Sequence, residues 1–205
     1  LLVFGMDVAV NDLATCFDYL MRSENSRPDV PVCISSGTAA QLLDCGQNDA
    51  LVPAQAVAEL LKNGQNSGFS LYVSVNEMLN LYKDKTSDIC LPVITVSDES
   101  SRTSGIAIFS ESRLAGVLSG DETVGLLFLK DKVKSGYMEL ESEKYGNIGV
   151  RIIGASSKTK AFAQGETVHF KVGVKLFFSI DEIENGTKES LSDAELAEIG
   201  KEGDN

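Results

Sequence analysis

The sequence is poor in the residues and motifs that most enzyme chemistry needs. It has one histidine in 205 residues, no GxxxxGK[ST] loop, and no GxGxxG after a predicted strand. A histidine pair for a metal is therefore excluded, and nucleotide-dependent enzymes lose their usual phosphate-binding signature. The four cysteines include no CxxC pair, which argues against a zinc site. These absences predict a protein that is not an enzyme and needs no metal or cofactor.

Positive charge and long apolar runs are also scarce. Eighteen Lys and Arg stand against 30 Asp and Glu, a net charge of -12, so a nucleic-acid backbone would be repelled at long range. No run of about eighteen apolar residues occurs, so the sequence predicts no membrane-spanning helix and a soluble fragment. With 43% hydrophobic and 23% charged residues, the composition is that of an ordinary globular chain.

The two ends of the sequence are abrupt. It opens at Leu1 with no initiating Met, no basic segment and no cleavage site, and it closes in an acidic tail. We interpret the chain as a fragment truncated at both ends. Any export signal or lipid anchor would then lie outside these residues.

The cysteines and the histidine have simple structural interpretations. Cys16 and Cys33 lie in apolar surroundings, where a thiol behaves as a small core residue. A disulfide, or a catalytic thiol with a basic partner, is the alternative. His169 lies in a strictly alternating strand on the face opposite its apolar residues, which predicts a solvent-exposed side chain.

Helices and strands alternate through the first half of the chain. Apolar spacing after Asn11 predicts a helix over 12–22, and a short strand near Cys33 is followed by a turn into a helix at Gly37 and Thr38. Free N–H groups at such a turn can bind an anion, which makes Gly37 and Thr38 a candidate ligand site. An ordinary capped helix is the alternative.

The stretch 97–104 has no apolar residue and predicts a linker between two domains. Residues 1–96 form a predicted mixed helix and strand domain, and 105–205 a C-terminal antiparallel α+β domain. The fold class is α+β, with two mixed α/β layers, the second an antiparallel sheet packed with helices. Strands are expected at 147–154, 157–163 and 166–181, the last of which supplies the main core. A further helix is predicted from Ser192, and a turn at Asn185–Gly186.

Three segments carry a family resemblance. They are Gly105 to Phe109, Arg113 to Leu118, and Glu122 to Leu129, which follow one another as a strand, a basic-Leu-x-Gly turn and a helix. In order and spacing they resemble the start of the C-terminal domain of the Ger(x)C family, the C subunits of bacterial spore germinant receptors. The signature positions are structural or interface candidates: Gly105, Phe109, Leu114, Gly116, Glu122, Gly125 and Leu126.

The resemblance implies a non-catalytic lipoprotein subunit, anchored by a lipid such as palmitate on the outer face of the inner spore membrane. Its partners would be membrane-spanning receptor subunits, with which it would assemble and couple the signal for nutrient-induced germination. The alternative is a small-ligand binding module for a nutrient or an anion. A hydrolase that uses Cys33 or Ser36 is the third hypothesis.

Overall fold

The computed structural model describes most of the chain, and the elements below refer to that part. The described residues are 1–23, 27–45, 52–66, 68–84, 87–97, 100–142 and 144–185. The helix predicted from Ser192 lies outside them, as does Gly186 of the predicted turn. The α+β class predicted from the sequence is confirmed, with one mixed and one antiparallel sheet.

Six helices and eight strands occur in the described residues. The helices are α1 Met6–Ala9, α2 Ala14–Arg22, α3 Ala39–Asp44, α4 Pro53–Asn66, α5 Val75–Lys83 and α6 Asp121–Leu129. The strands are β1 Leu2–Gly5, β2 Val32–Ser35, β3 Ile89–Ser97, β4 Ser100–Ser110, β5 Arg113–Leu118, β6 Gly136–Ser142, β7 Gly146–Gln164 and β8 Thr167–Ile183. They divide into two compact units, Leu1–Leu127 and Phe128–Asn205.

The first unit is built on a five-stranded sheet in the order β1-β2-β3-β4-β5. The first three strands are parallel and are joined by helical connections, whereas β3, β4 and β5 form an antiparallel meander. Strand β3 is apolar along most of its length because it is buried in the middle of the sheet. Fully buried side chains from both strands and helices form the core, among them Ile34, Leu42, Leu61, Met78, Leu91, Ile94, Ile106 and Phe109.

Most of the stretch predicted as a linker, 97–104, lies in strands β3 and β4. Residues Ser100–Ser110 form β4, which pairs with β3 from Ile89 to Ser97. A register shift between Val93 and Ile94 leaves Ser104 as a bulge, and its hydroxyl accepts a hydrogen bond from Thr95 Oγ1 at 2.7 Å. A polar sequence forms a strand here because pairing uses main-chain groups and leaves Ser and Thr side chains at the surface.

Two helix boundaries also differ from the prediction. Helix α2 begins at Ala14, where the Asp12 carboxylate accepts the Ala14 N–H at 2.9 Å, and not after Asn11. The Asn11 side chain instead donates to the Asp7 carbonyl. Helix α4 continues to Asn66, although the Asn63–Gly64 pair is a stop signal that predicts an earlier end.

The second unit contains a three-stranded antiparallel sheet in the order β6-β7-β8. The two strands predicted at 147–154 and 157–163 are one strand, β7. Its core is small and lies where all three strands pair; the buried residues are Tyr145, Ile148, Val150, Ile180 and Ile183.

The last strand supplies less of the core than the sequence predicted. Of the apolar side chains that alternate along β8, Ile180 is buried, whereas Val168 and Phe170 are 57% and 69% exposed. The reason is that β6 pairs with β7 only as far as Ile152, so β7 and β8 continue as two strands without a third. Alternation alone identified the apolar face of β8, but it could not show what covers that face.

A matched pair of substitutions on β7 tests where this core ends. We expect Ile148→Ala to lower the free energy of unfolding by about 2–5 kcal/mol, because Ile148 is fully buried. Ile153→Ala, at a position 66% exposed, should cost less than about 1 kcal/mol. Urea unfolding followed by circular dichroism measures both. Equal losses would contradict the placement of the core.

Candidate functional site

The segments with the family resemblance form one continuous part of the first unit. Strands β4 and β5 are a hairpin, β5 is the edge strand of the five-stranded sheet, and α6 follows directly. Along β5, half-buried residues alternate with exposed ones, and Val117 is 43% exposed. An edge strand with an accessible face is a common place for another chain to pack or pair.

Two signature residues hold the hairpin together. Gly105 lies so close to β5 that a Cβ atom there would overlap the Leu118 carbonyl oxygen. Phe109 is fully buried and lies opposite Ile89 on β3 and Leu114 on β5. These positions require glycine and a large apolar side chain because of packing, which is a structural role.

The other signature residues lie nearer the surface. Leu114, Gly116 and Leu126 are half-buried, whereas Glu122 and Gly125 are exposed. Gly116 and Gly125 have open space where a Cβ would be, so packing does not explain a glycine at either position. The Glu122 carboxylate accepts a hydrogen bond from the Ser119 N–H at 3.5 Å, close to the start of α6.

The turn of this hairpin is tied to the start of α2. The Ser112 carbonyl accepts a hydrogen bond from the Leu13 N–H at 3.0 Å, and Arg113 Nε lies 3.2 Å from the Asp12 carboxylate. Hydrogen bonds from the Ser112 side chain, the Ala14 N–H and Arg113 lower the pKa of Asp12 below its usual value of 3.8. Sequence analysis missed this contact, because it joins residues about a hundred positions apart.

The candidate anion site lies where β2 ends and α3 begins. Gly37 borders a shallow depression of about 510 Å³ together with Asp44. Two of the N–H groups around the start of α3 are already used: Thr38 donates to Gln41 Oε1 at 2.8 Å, and Gln41 donates to Thr38 Oγ1 at 3.2 Å. The geometry is that of a capping box, and the Asp44 carboxylate adds negative charge. Anion binding here stays a prediction that the geometry does not favour.

The groups proposed for hydrolysis are not arranged for it. Burial raises the pKa of the Cys33 thiol to about 12, which removes the reactive thiolate. The Ser36 N–H donates to the Ile94 carbonyl, and the one histidine of the chain, His169, lies in the other unit. His169 is exposed in the second unit, as expected, and its ring stacks on Phe162 with centroids 5.5 Å apart. None of the four cysteines forms a disulfide, and of the two assigned to the core Cys33 is buried while Cys16 is half-buried.

The described part of the chain contains neither a metal-binding cluster nor a membrane-spanning helix. There, no group of three or more His, Cys, Asp and Glu side chains comes together in a way that could hold a metal ion. None of the helices in the same residues is both long enough and apolar enough to cross a bilayer.

Two family models match the chain in tandem. The spore germination protein N-terminal domain matches residues 1–96, and the spore germination B3/GerAC-like C-terminal domain matches residues 104–204. The border between the two matches falls inside the β3–β4 hairpin. Strands β4 and β5 are therefore matched by the C-terminal family model, although in the structure they complete the sheet of the first unit.

A solved structure has a similar fold. The crystal structure of the GerBC protein matches with a TM-score of 0.67 at 16% sequence identity, and the match covers 98% of this chain. The chain spans 60% of the length of that structure. No curated protein sequence matches the present chain.

Two glycines of the signature hairpin give a matched test of its packing. Gly105→Ala should destabilise the protein by about 1–3 kcal/mol or more, because the added methyl group overlaps the β5 backbone. Gly116→Ala should be tolerated, since nothing lies within 4 Å of its Cβ position. Thermal and urea unfolding measure both variants. A Gly105→Ala protein as stable as wild type would show that β5 does not approach β4 this closely.

The Asp12 contacts predict a dependence of stability on pH. A carboxyl group whose pKa is lowered by folding contributes stability above its unfolded pKa, and that stability is lost as the pH falls through the folded pKa. Asp12→Asn should therefore unfold more easily than wild type at neutral pH, and the difference should shrink below a pH of about 4. Unfolding curves across this range measure it. A difference independent of pH would contradict the ionic role of Asp12.

Proposed function

Because the chain belongs to the spore germination B3/GerAC-like family of germinant receptor C subunits, we propose that it is a non-catalytic, membrane-tethered receptor subunit. In this role it supports nutrient-induced germination by assembling with membrane-spanning partner subunits and coupling their signal. The observation that carries the proposal is the tandem family match, which extends over nearly the whole chain in the expected order.

The chemistry of the described residues supports a role without catalysis. The Cys33 thiol is held protonated by burial, and the one histidine of the chain lies on the exposed surface of the second unit. The depression beside Gly37 borders a satisfied capping box and a carboxylate, which gives a nutrient or an anion little to bind. What remains for function is protein surface, which fits an assembly component better than an enzyme.

We place the partner contact on the exposed side of β5. This strand is an edge of its sheet, so its outer main-chain groups are available for pairing, and Val117 presents an apolar side chain. The buried residues Gly105 and Phe109 would then keep the hairpin in shape for the contact without making it themselves. A lipid attached to the full-length protein would hold the chain beside membrane-spanning partners, as the family resemblance implies.

A matched pair of surface variants in spores tests the proposal. Val117→Glu places a charge on β5, whereas Val10→Glu places the same charge at another exposed valine of the first unit. We expect Val117→Glu to abolish co-purification with the partner subunits and to slow nutrient-induced germination at least about tenfold, since a buried unpaired charge at an interface is costly.

Val10→Glu should behave as wild type in both assays, and both purified proteins should keep the wild-type melting temperature. Normal germination and co-purification in Val117→Glu spores would remove β5 as the contact. Normal germination in spores that lack the whole protein would remove the proposed function itself.

A further inference from the structure

The second unit carries an unusual two-stranded segment, which we call the ribbon: residues 154–164 of β7 and 167–177 of β8. Strand β6 stops pairing at Ile152, so no third strand of the described residues flanks the ribbon; on the β7 side the Ser157 N–H donates to the Asp131 carboxylate at 2.9 Å. At about 3.3 Å per residue, each strand of the ribbon extends about 35 Å. A two-stranded ribbon of this kind is marginally stable alone in water, which suggests that another surface supports it.

One face of the ribbon is apolar and exposed. In the pairing register Ala161 lies opposite Phe170 and Ala163 opposite Val168, with Val172 further along the same face. Phe170 is 69% exposed. Continuous exposed apolar faces of this kind mark sites where a protein meets another protein or a membrane.

The opposite face is basic, although the chain as a whole is acidic, and near the turn it also carries Phe162, 51% exposed and stacked on His169. The ribbon carries Lys158, Lys160, Lys171 and Lys175 against one acidic residue, Glu166 in its turn. Lys160 and Lys171 are direct cross-strand partners, an arrangement that costs stability unless an anion lies between them. Within the described residues none of these four lysines takes part in an ion pair.

A trough runs along the lysine face. Gly173 lies opposite Lys158 and has no side chain, which leaves a depression of about 530 Å³ bordered by all four lysines. The trough offers several ammonium groups at once, and a surface with closely spaced negative charges complements it best.

We propose that the ribbon lies on an anionic lipid bilayer, with its apolar face at the level of the acyl chains and its lysines at the phosphates. The combination of the two faces favours a lipid surface. An amphipathic element rich in lysine on its polar face binds a bilayer in this way, whereas an acidic protein would contact the basic face alone. Because no third strand of the described residues flanks the ribbon at Lys160 and Lys171, these side chains reach past the backbone towards the phosphates.

This contact adds to the tethering proposed above, but it does not depend on the receptor role. Its test uses the chain without any attached lipid, so the two proposals fail separately. The measurement is flotation with vesicles of phosphatidylcholine alone, or with about one third phosphatidylglycerol, at an ionic strength of about 0.1 M. We expect binding to the anionic vesicles at least about tenfold stronger than to the neutral ones, and weaker at higher salt.

Two matched pairs of variants identify the surface. Lys160→Glu with Lys171→Glu should reduce binding to anionic vesicles at least about tenfold. Lys130→Glu with Lys132→Glu makes the same charge change at exposed positions outside the ribbon and should not reduce it to the same extent. Phe170→Ser should weaken binding, whereas Phe69→Ser, at a phenylalanine 47% exposed in the first unit, should not.

Three results would overturn the proposal. The first is equal binding to neutral and anionic vesicles. The second is equal binding by the two double-lysine variants, with circular dichroism showing both folded. The third is a combined result: poly-glutamate at equal charge concentration displaces the protein from anionic vesicles, and Phe170→Ser binds them as well as wild type. That result would make the ribbon a site for an acidic protein.

Discussion

The pairing of β3 with β4 is the interaction on which the first unit depends. Strand β3 is apolar and lies in the middle of the sheet, so both of its edges need a partner. Strand β2 pairs with one edge at Val93 and Ile94, and β4 pairs with the other along the full length of β3. Without β4, buried residues such as Ile106 and Phe109 would be missing from the core, and β3 would be an exposed apolar edge. The two halves recognised by the family models are therefore one structural unit at this point.

Local signals in the sequence predicted local structure well. The helix expected after the turn at Gly37 and Thr38 is α3, which Thr38 caps, and the alternation in β8 gave its approximate length and its apolar face. The residues of the family resemblance were also sufficient to identify the family, because glycine and apolar spacing record the packing of a hairpin and a helix.

The parts that could not be predicted depend on residues distant in sequence. The polar stretch at 97–104 gave no sign that its main chain pairs with β3, since Ser and Thr do not mark burial. The Asp12 contact with Ser112 and Arg113 needs the fold before it exists. The exposure of β8 depends on where β6 stops, which no pattern within β8 contains. For the candidate site residues, the sequence predicted the positions, but it could not show which side chains are packed and which are accessible.

None of the four cysteines forms a disulfide, which has a consequence for how the protein resists oxidation. Cys33, Cys45 and Cys90 are buried, so the native state shields these thiols from oxidants and from exchange with other disulfides. The unfolded chain has no such protection and would form mixed disulfides. No disulfide holds the fold together, so the packing that stabilises the fold also protects the buried thiols from oxidation. Chemical protection of these thiols therefore depends on the chain remaining folded.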